Sequence, residues 1–153
     1  MTRLIRFLRK SRADRRMLIH AAVLHAAVAV LVRVCAFGRV RHVLDRVAAI
    51  GPRLRDLEDV EARVARAVRT VSSLIPGEHC LADALVAQCL LARSGRETTL
   101  CFGVARNRSA DGRPFDAHAW LERHGAIVVG ARDVRYAPLH PAHSRCGSSP
   151  LPR

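Results

Sequence analysis

The sequence predicts an α+β protein, helical in its front half and built on a small antiparallel sheet in its back half. Three observations predict it. Apolar residues recur at three- and four-residue steps up to residue 73, the period of helices with a buried face. Pro76-Gly77 then interrupts the pattern, as a breaker pair does. Beyond Gly95, β-formers gather in short runs separated by Gly, Pro and Asp, which marks strands and turns. The organisation read from this is a helical region over 1–75, a core over 76–140 and a Pro/Ser/Gly-rich, disordered tail over 141–153.

The first helix covers residues 13–37 and stops near Gly38. Its uncharged stretch from Met17 to Val32 is sixteen residues long, short of the about 20 that a membrane span needs. A core helix is the expectation. Residues 39–50 form a shorter helix ended by Gly51-Pro52. Over 53–73, Leu54, Leu57, Val60, Val64, Val68 and Val71 make one apolar face, and Arg55, Glu58, Arg63, Arg66 and Arg69 fill much of the other.

The next helix opens on Cys80. Leu81, Ala84, Leu85, Gln88 and Ala92 form one stripe, while Val86, Leu90 and Leu91 cover the opposite side. A helix apolar nearly all round is a central one. Gly95 ends it. Strands follow over 98–106, 115–122 and 126–130, with a polar loop at 107–114 and a hairpin turn at Arg123-His124-Gly125. A last short strand is expected over Val134–Ala137.

The formal charge is +13, carried almost wholly by arginine. Such a surface favours anionic partners. No helix-turn-helix, zinc-finger spacing or aromatic-basic strand pattern supports nucleic acid as the partner. The basic start "MTRLIRFLRKSRADRR" is too long and charged for a signal-peptide n-region, and no small-residue cleavage site follows. The five cysteines, Cys35, Cys80, Cys89, Cys101 and Cys146, include no CxxC pair. An odd count, largely inside apolar segments, argues against a disulfide framework and for the reducing cytoplasm. Association of the basic N-terminus with a membrane surface stays open.

Two residues carry the chemistry. A thiol on the first turn of a helix is favoured as thiolate, and His118, mid-strand beside Trp120, is placed to take its proton. Unpaired N–H groups at the helix start, including that of Cys80, suit an oxyanion. Asp83, one turn on, works slightly against the thiolate. The bland alternative is that Cys80 and His118 are both core residues. Trp120 packs beside such a site or walls its cleft, and His79 contacts substrate or faces solvent. Cys89 and Cys101 read as core. His79, Cys80 and His118 lack the close-spaced pairs of a zinc site, and no phosphate-binding glycine loop is present, so neither metal nor cofactor is expected.

The stretch "CLADALVAQCLLARSGRETTLCFGVAR…FDAHAWLERHGAIVVG" resembles the transglutaminase-like family that removes leader peptides in lasso-peptide biosynthesis. The matching blocks are Cys80-Leu81, Ala84-Leu85, Leu90-Leu91, Gly95, Leu100, Gly103-Val104, Ala117-His118-Ala119-Trp120-Leu121-Glu122 and Gly125, in order and at compatible spacing. The resemblance implies a bacterial papain-like cysteine peptidase, with Cys80 as nucleophile and His118 as general base. It implies a precursor peptide as substrate, a separate leader-peptide-recognition protein acting in trans, and an asparagine-synthetase-like cyclase in the same pathway.

One position departs from the family. Its third member is often an Asp twelve residues after the His; here that position is Gly130. If Glu122 pairs with Ala126, Gly130 lies opposite His118, where an Asp would be about 5 Å away. A Gly130→Asp change is then expected to supply the missing acid. Among the acids present, Asp133 ranks first as orienter of the imidazole and Asp116, about 7 Å along the strand, second. A Cys80–His118 dyad is also open. A non-catalytic peptide-binding scaffold and a basic membrane-surface helical protein are the competing readings, and transamidation is not excluded by a Cys–His pair.

Overall fold

The computed structural model describes residues 11–51, 59–106, 114–132 and 136–142. Within them the chain is α+β. Its elements run α1 (Arg12–Val34), α2 (Phe37–Ile50), α3 (Val60–Ser72), α4 (Cys80–Ala92), β1 (Thr99–Arg106), β2 (Phe115–Arg123), β3 (Ala126–Val129) and β4 (Ala137–Ala142).

Ser11 starts α1: its Oγ accepts from the Asp14 amide at 3.1 Å and donates to Asp14 Oδ2 at 2.7 Å, satisfying an amide the helix leaves unpaired. The Ser11 hydroxyl, with Arg63 of α3 nearby, holds the Asp14 carboxyl below its ordinary range, against the opposing pull of burial. Met17, Ala21, Leu24, His25 and Val28 form the buried face of α1. The opposite face leaves Ile19, Val23, Val30 and Val34 exposed. By length and composition alone α1 is long and apolar enough to cross a membrane; here it packs on α3 and α4.

The break after α1 comes earlier than Gly38. Cys35 and Ala36 are both extended (ψ 150° and 142°), and Gly38 falls in the first turn of α2. Helix α3 buries Val60, Val64, Val68 and Val71 as its periodicity predicts, while Leu54 and Leu57 lie outside the described residues. Helix α4 packs on α1, α2, α3 and the sheet. Its end is a Schellman motif: the Arg96 amide donates to Leu91 and the Gly95 amide to Ala92, each at 3.0 Å, with Gly95 at φ 71°.

The sheet is antiparallel, in the order β3-β2-β1-β4. β1 and β2 pair without interruption from Thr99↔Glu122 to Arg106↔Phe115. The β2–β3 hairpin differs from the expected register. His124 and Gly125 both have positive φ (50° and 78°), the pair of left-handed residues that closes a two-residue turn. Arg123 therefore pairs with Ala126 and Glu122 with Ile127, and an irregularity then sets Leu121 against Val129. Gly130 ends beside Trp120, not opposite His118: a Cβ on it would lie 2.9 Å from Trp120 Cβ.

β4 begins at Ala137, where the last strand was expected to end, and runs to Ala142, so Pro141 and Ala142 belong to the sheet and not to the tail. It carries Pro138 and Pro141 on the edge of the sheet, where prolines are tolerated. The core lies between α4 and the sheet face formed by Leu100, Ala119 and Leu121, each 2% exposed or less. Strand alternation then sets His118 and Trp120 on the other face of β2.

Candidate functional site

Cys80 is the first residue of α4, after the non-helical His79, and is partly buried. The first helical hydrogen bond runs from the Asp83 amide to the His79 carbonyl at 2.8 Å. The amides of Cys80, Leu81 and Ala82 thus have no acceptor within the helix, which places a positive end at the thiol. His79 Nε2 donates to the Pro76 carbonyl at 2.9 Å, closing the turn ahead of Cys80.

Asp83 is engaged away from the thiol. Its Oδ1 lies 3.0 Å from Nε2 of the fully buried His25, and its Oδ2 accepts from Ser72 at 2.8 Å. One carboxylate thereby ties α1 and α3 to the start of α4. The His25 ring also meets that of His79 edge-on, with centroids 5.4 Å apart.

His118 is 5% exposed. Its Nε2 lies 2.6 Å from the Gly130 carbonyl oxygen. A carbonyl can only accept, so Nε2 carries the proton and the neutral ring keeps its lone pair on Nδ1. Nδ1 is buried and has no hydrogen-bond partner among the described residues. Above the ring, Tyr136 lies 4.9 Å away between centroids and Trp120 stacks at 6.1 Å. Gly103 makes room for them: it pairs with His118 across the ladder, and a Cβ there would come within 2.7 Å of Tyr136 Cβ and 2.9 Å of Trp120 Cζ3. Trp120 Nε1 donates to Glu122 at 2.6 Å.

Cys80 and His118 share no hydrogen bond; the chain segments that bear them are joined by Arg132. Its Nη2 donates to Glu78 at 3.2 Å, two residues before the thiol, and its Nη1 lies 3.7 Å from Asp116, two residues before the histidine. Asp116 also accepts from the Tyr136 hydroxyl at 2.7 Å. It reaches the imidazole only through that aromatic ring, so it is not the direct orienter ranked second from sequence. Asp133, ranked first, lies outside the described residues, as does Cys146.

Cys89 and Cys101 are buried, and Cys35, like Cys80, is partly exposed. Burial pushes Cys89 up to about 11, and burial with Glu122 nearby pushes Cys101 up to about 11. Among the described residues no three His, Cys, Asp or Glu side chains are grouped to hold a metal. Two hollows adjoin the site. One of about 320 Å³ lies between α1 and the segment Pro76–Ala82 and is lined in part by Cys80. The other, about 480 Å³, lies between α3 and β3 and is lined in part by Asp83 and Gly130.

The sequence profile of the transglutaminase-like superfamily matches residues 22–141. The chain belongs to this superfamily. The match covers α1 to β4 and so takes in the helical half as well as the Cys80 helix and the His118 strand. No curated protein and no solved structure matches the chain.

As a member of the transglutaminase-like superfamily, the chain places the cysteine at a helix start and the histidine on the sheet that helix packs against. Sequence reasoning missed His25, Tyr136 and Arg132. His25 had one available signal, a polar residue on the apolar face of α1. Arg132 had none, because its two partners lie in segments distant in sequence.

Proposed function

We propose that this chain is a cysteine peptidase that removes the leader peptide from a ribosomally made precursor, in the manner of lasso-peptide maturation. The observation that supports the chemistry best is the His118 ring: its Nε2 is committed to Gly130, and its Nδ1 is buried and without a partner among the described residues, which is the proton-accepting form of an imidazole. Hydrogen bonds of this kind are often loose without substrate and tighten in the bound complex.

In the proposed reaction His118 Nδ1 takes the Cys80 thiol proton and Sγ attacks the scissile carbonyl carbon. The oxyanion is held by amides at the start of α4, that of Cys80 among them. The peptide C–N bond breaks, His118 returns its proton to the leaving amine, and the core peptide departs with a free N-terminus. The leader remains as a thioester on Cys80. Water, deprotonated by His118, attacks that thioester, and the S–C bond breaks to release the leader as an acid and the thiol. An amine in place of water would give transamidation.

A separate leader-recognition protein would deliver the precursor, and an asparagine-synthetase-like cyclase would use the freed amine. The reducing cytoplasm is the compartment that suits a working thiol. The test is a reconstitution with a lasso-type precursor and a small leader-binding protein, followed by mass spectrometry. Release of leader and core at one bond, without mass exchange for an added amine, supports the proposal. An intact precursor under these conditions would count against it. The missing Cys80–His118 hydrogen bond favours one second reading, a peptide-binding subunit of the same fold that does not cut; it predicts binding of the precursor without cleavage.

A further inference from the structure

The 320 Å³ hollow beside Cys80 is walled by Ala29, Val32 and Arg33 of α1 on one side and by Pro76-Gly77, Glu78 and His79 on the other. We infer that it is a substrate side-chain pocket that selects an acidic residue, Asp or Glu, close to the bond that is cut. This rests on the peptidase reading for its purpose, but the pocket can be tested without cleavage.

Position comes first. Cys80 itself lines the hollow, so a side chain seated there belongs to a residue near the reacting carbonyl. At about 320 Å³ the hollow has room for an acidic side chain and accompanying water. Its walls are mixed: Ala29, Val32, Leu81 and Ala82 supply apolar surface for the methylene part of a side chain, and the charged groups set what its tip must be.

Two charged side chains line the hollow, Arg33 and Glu78. They are not equivalent. Glu78 is engaged by Arg132 at 3.2 Å, so its charge is matched from outside the hollow. Arg33 forms no ion pair among the described residues and stands in the last turn of α1. The cation is therefore the group left with donors to offer. A guanidinium presents a planar fork of N–H donors that fits a carboxylate with two parallel bonds. A substrate lysine would meet Arg33 with like charge, and an apolar residue would leave the donors unused.

The experiment uses the full chain carrying Cys80→Ala, so that binding is read without turnover. The probes are N-acetylated, C-amidated fluorescent octapeptides of Ala, Ser and Gly, with one Glu, Gln or Lys walked through all eight positions. Fluorescence anisotropy is expected to find one position at which Glu binds about three- to fivefold more tightly than Gln, the scale of a partly exposed ion pair. Arg33→Ala should remove the difference, and Arg33→Glu should transfer the preference to Lys at the same position. Equal binding of Glu, Gln and Lys at every position, or a Glu preference that survives Arg33→Ala, would overturn the pocket. The precursor reconstitution, run on the chain with Cys80 intact, separates the two claims: a Glu preference in binding with no cutting of the precursor keeps the pocket and removes the peptidase.

Discussion

The Gly130 carbonyl oxygen sits 2.6 Å from His118 Nε2, so a backbone group holds the imidazole where the sequence resemblance predicts an acid. A carbonyl fixes the tautomer as a carboxylate does. It carries no full charge, however, and stabilises the imidazolium less. A cysteine nucleophile is less dependent on that charge than a serine, because its thiol ionises more readily.

The first prediction concerns the two acids ranked from sequence. If the carbonyl alone orients His118, Asp133→Asn leaves kcat within about threefold of the parent, since no acid is needed on Nε2, whereas Asp116→Asn loses more because it also loosens the Arg132 bridge. Steady-state cleavage of the precursor measures this. A loss approaching the roughly 10⁴ seen when a serine triad loses its acid in Asp133→Asn would assign that residue the orienting role.

Gly130→Asp is expected to damage the protein, in contrast to the rescue that the sequence register suggested. Gly130 has φ 90°, a conformation that costs a non-glycine residue roughly 1–3 kcal/mol. A Cβ there would also meet Trp120 Cβ at 2.9 Å and the Ala119 carbonyl oxygen at 3.0 Å. Thermal unfolding should show a lowered Tm, and cleavage should fall. Unchanged stability with faster cleavage would show that the hairpin register is wrong.

Thiol labelling should separate the cysteines by pH. Burial raises Cys89 and Cys101 to about 11, so at pH 8 only about one in a thousand of each is thiolate. Their labelling by iodoacetamide should be slow at pH 8 and climb about tenfold per pH unit toward 11. Cys80, at a helix start, should label fastest at neutral pH, ahead of the partly exposed Cys35 and of Cys146. Peptide mapping that finds Cys80 unmodified while Cys146 is labelled would argue that Cys80 is merely packed.

Arg132 joins Glu78 to Asp116, and hence the loop before Cys80 to the strand that carries His118. Ion pairs this exposed contribute little to stability, about 0–1 kcal/mol. Misplacing reacting groups by about 1 Å can cost about 100-fold in rate. Arg132→Ala should therefore lower kcat by about 10- to 100-fold with almost unchanged urea unfolding, and Arg132→Lys should recover part of it. Equal losses in rate and stability would make the bridge a structural contact only.

Much of this was legible in the sequence. The all-round apolarity of 80–92 marked α4 as central, because no solvent-facing stripe was left to it. The spacing of Val60, Val64, Val68 and Val71 named the buried face of α3. The hairpin turn was visible in Arg123-His124-Gly125. What escaped was local or distant. A tighter turn, with Arg123 paired to Ala126, and an irregularity between Leu121 and Glu122 together move Gly130 two residues along β2, from His118 to Trp120, and no composition signal marks either. His25 reads as one more residue on an apolar helix until Asp83 is brought to it from 58 residues away. Arg132 gains meaning only once Glu78 and Asp116 are neighbours in space.

The most direct test of the account is the rate at which Cys80→Ala and His118→Ala cut the cognate precursor, beside Cys89→Ala as a control. Removing the nucleophile or the base should reduce cleavage to background while circular dichroism and Tm stay near those of the parent, and Cys89→Ala should still cut. Cleavage by folded Cys80→Ala at the parent rate would contradict the assignment of Cys80 as nucleophile.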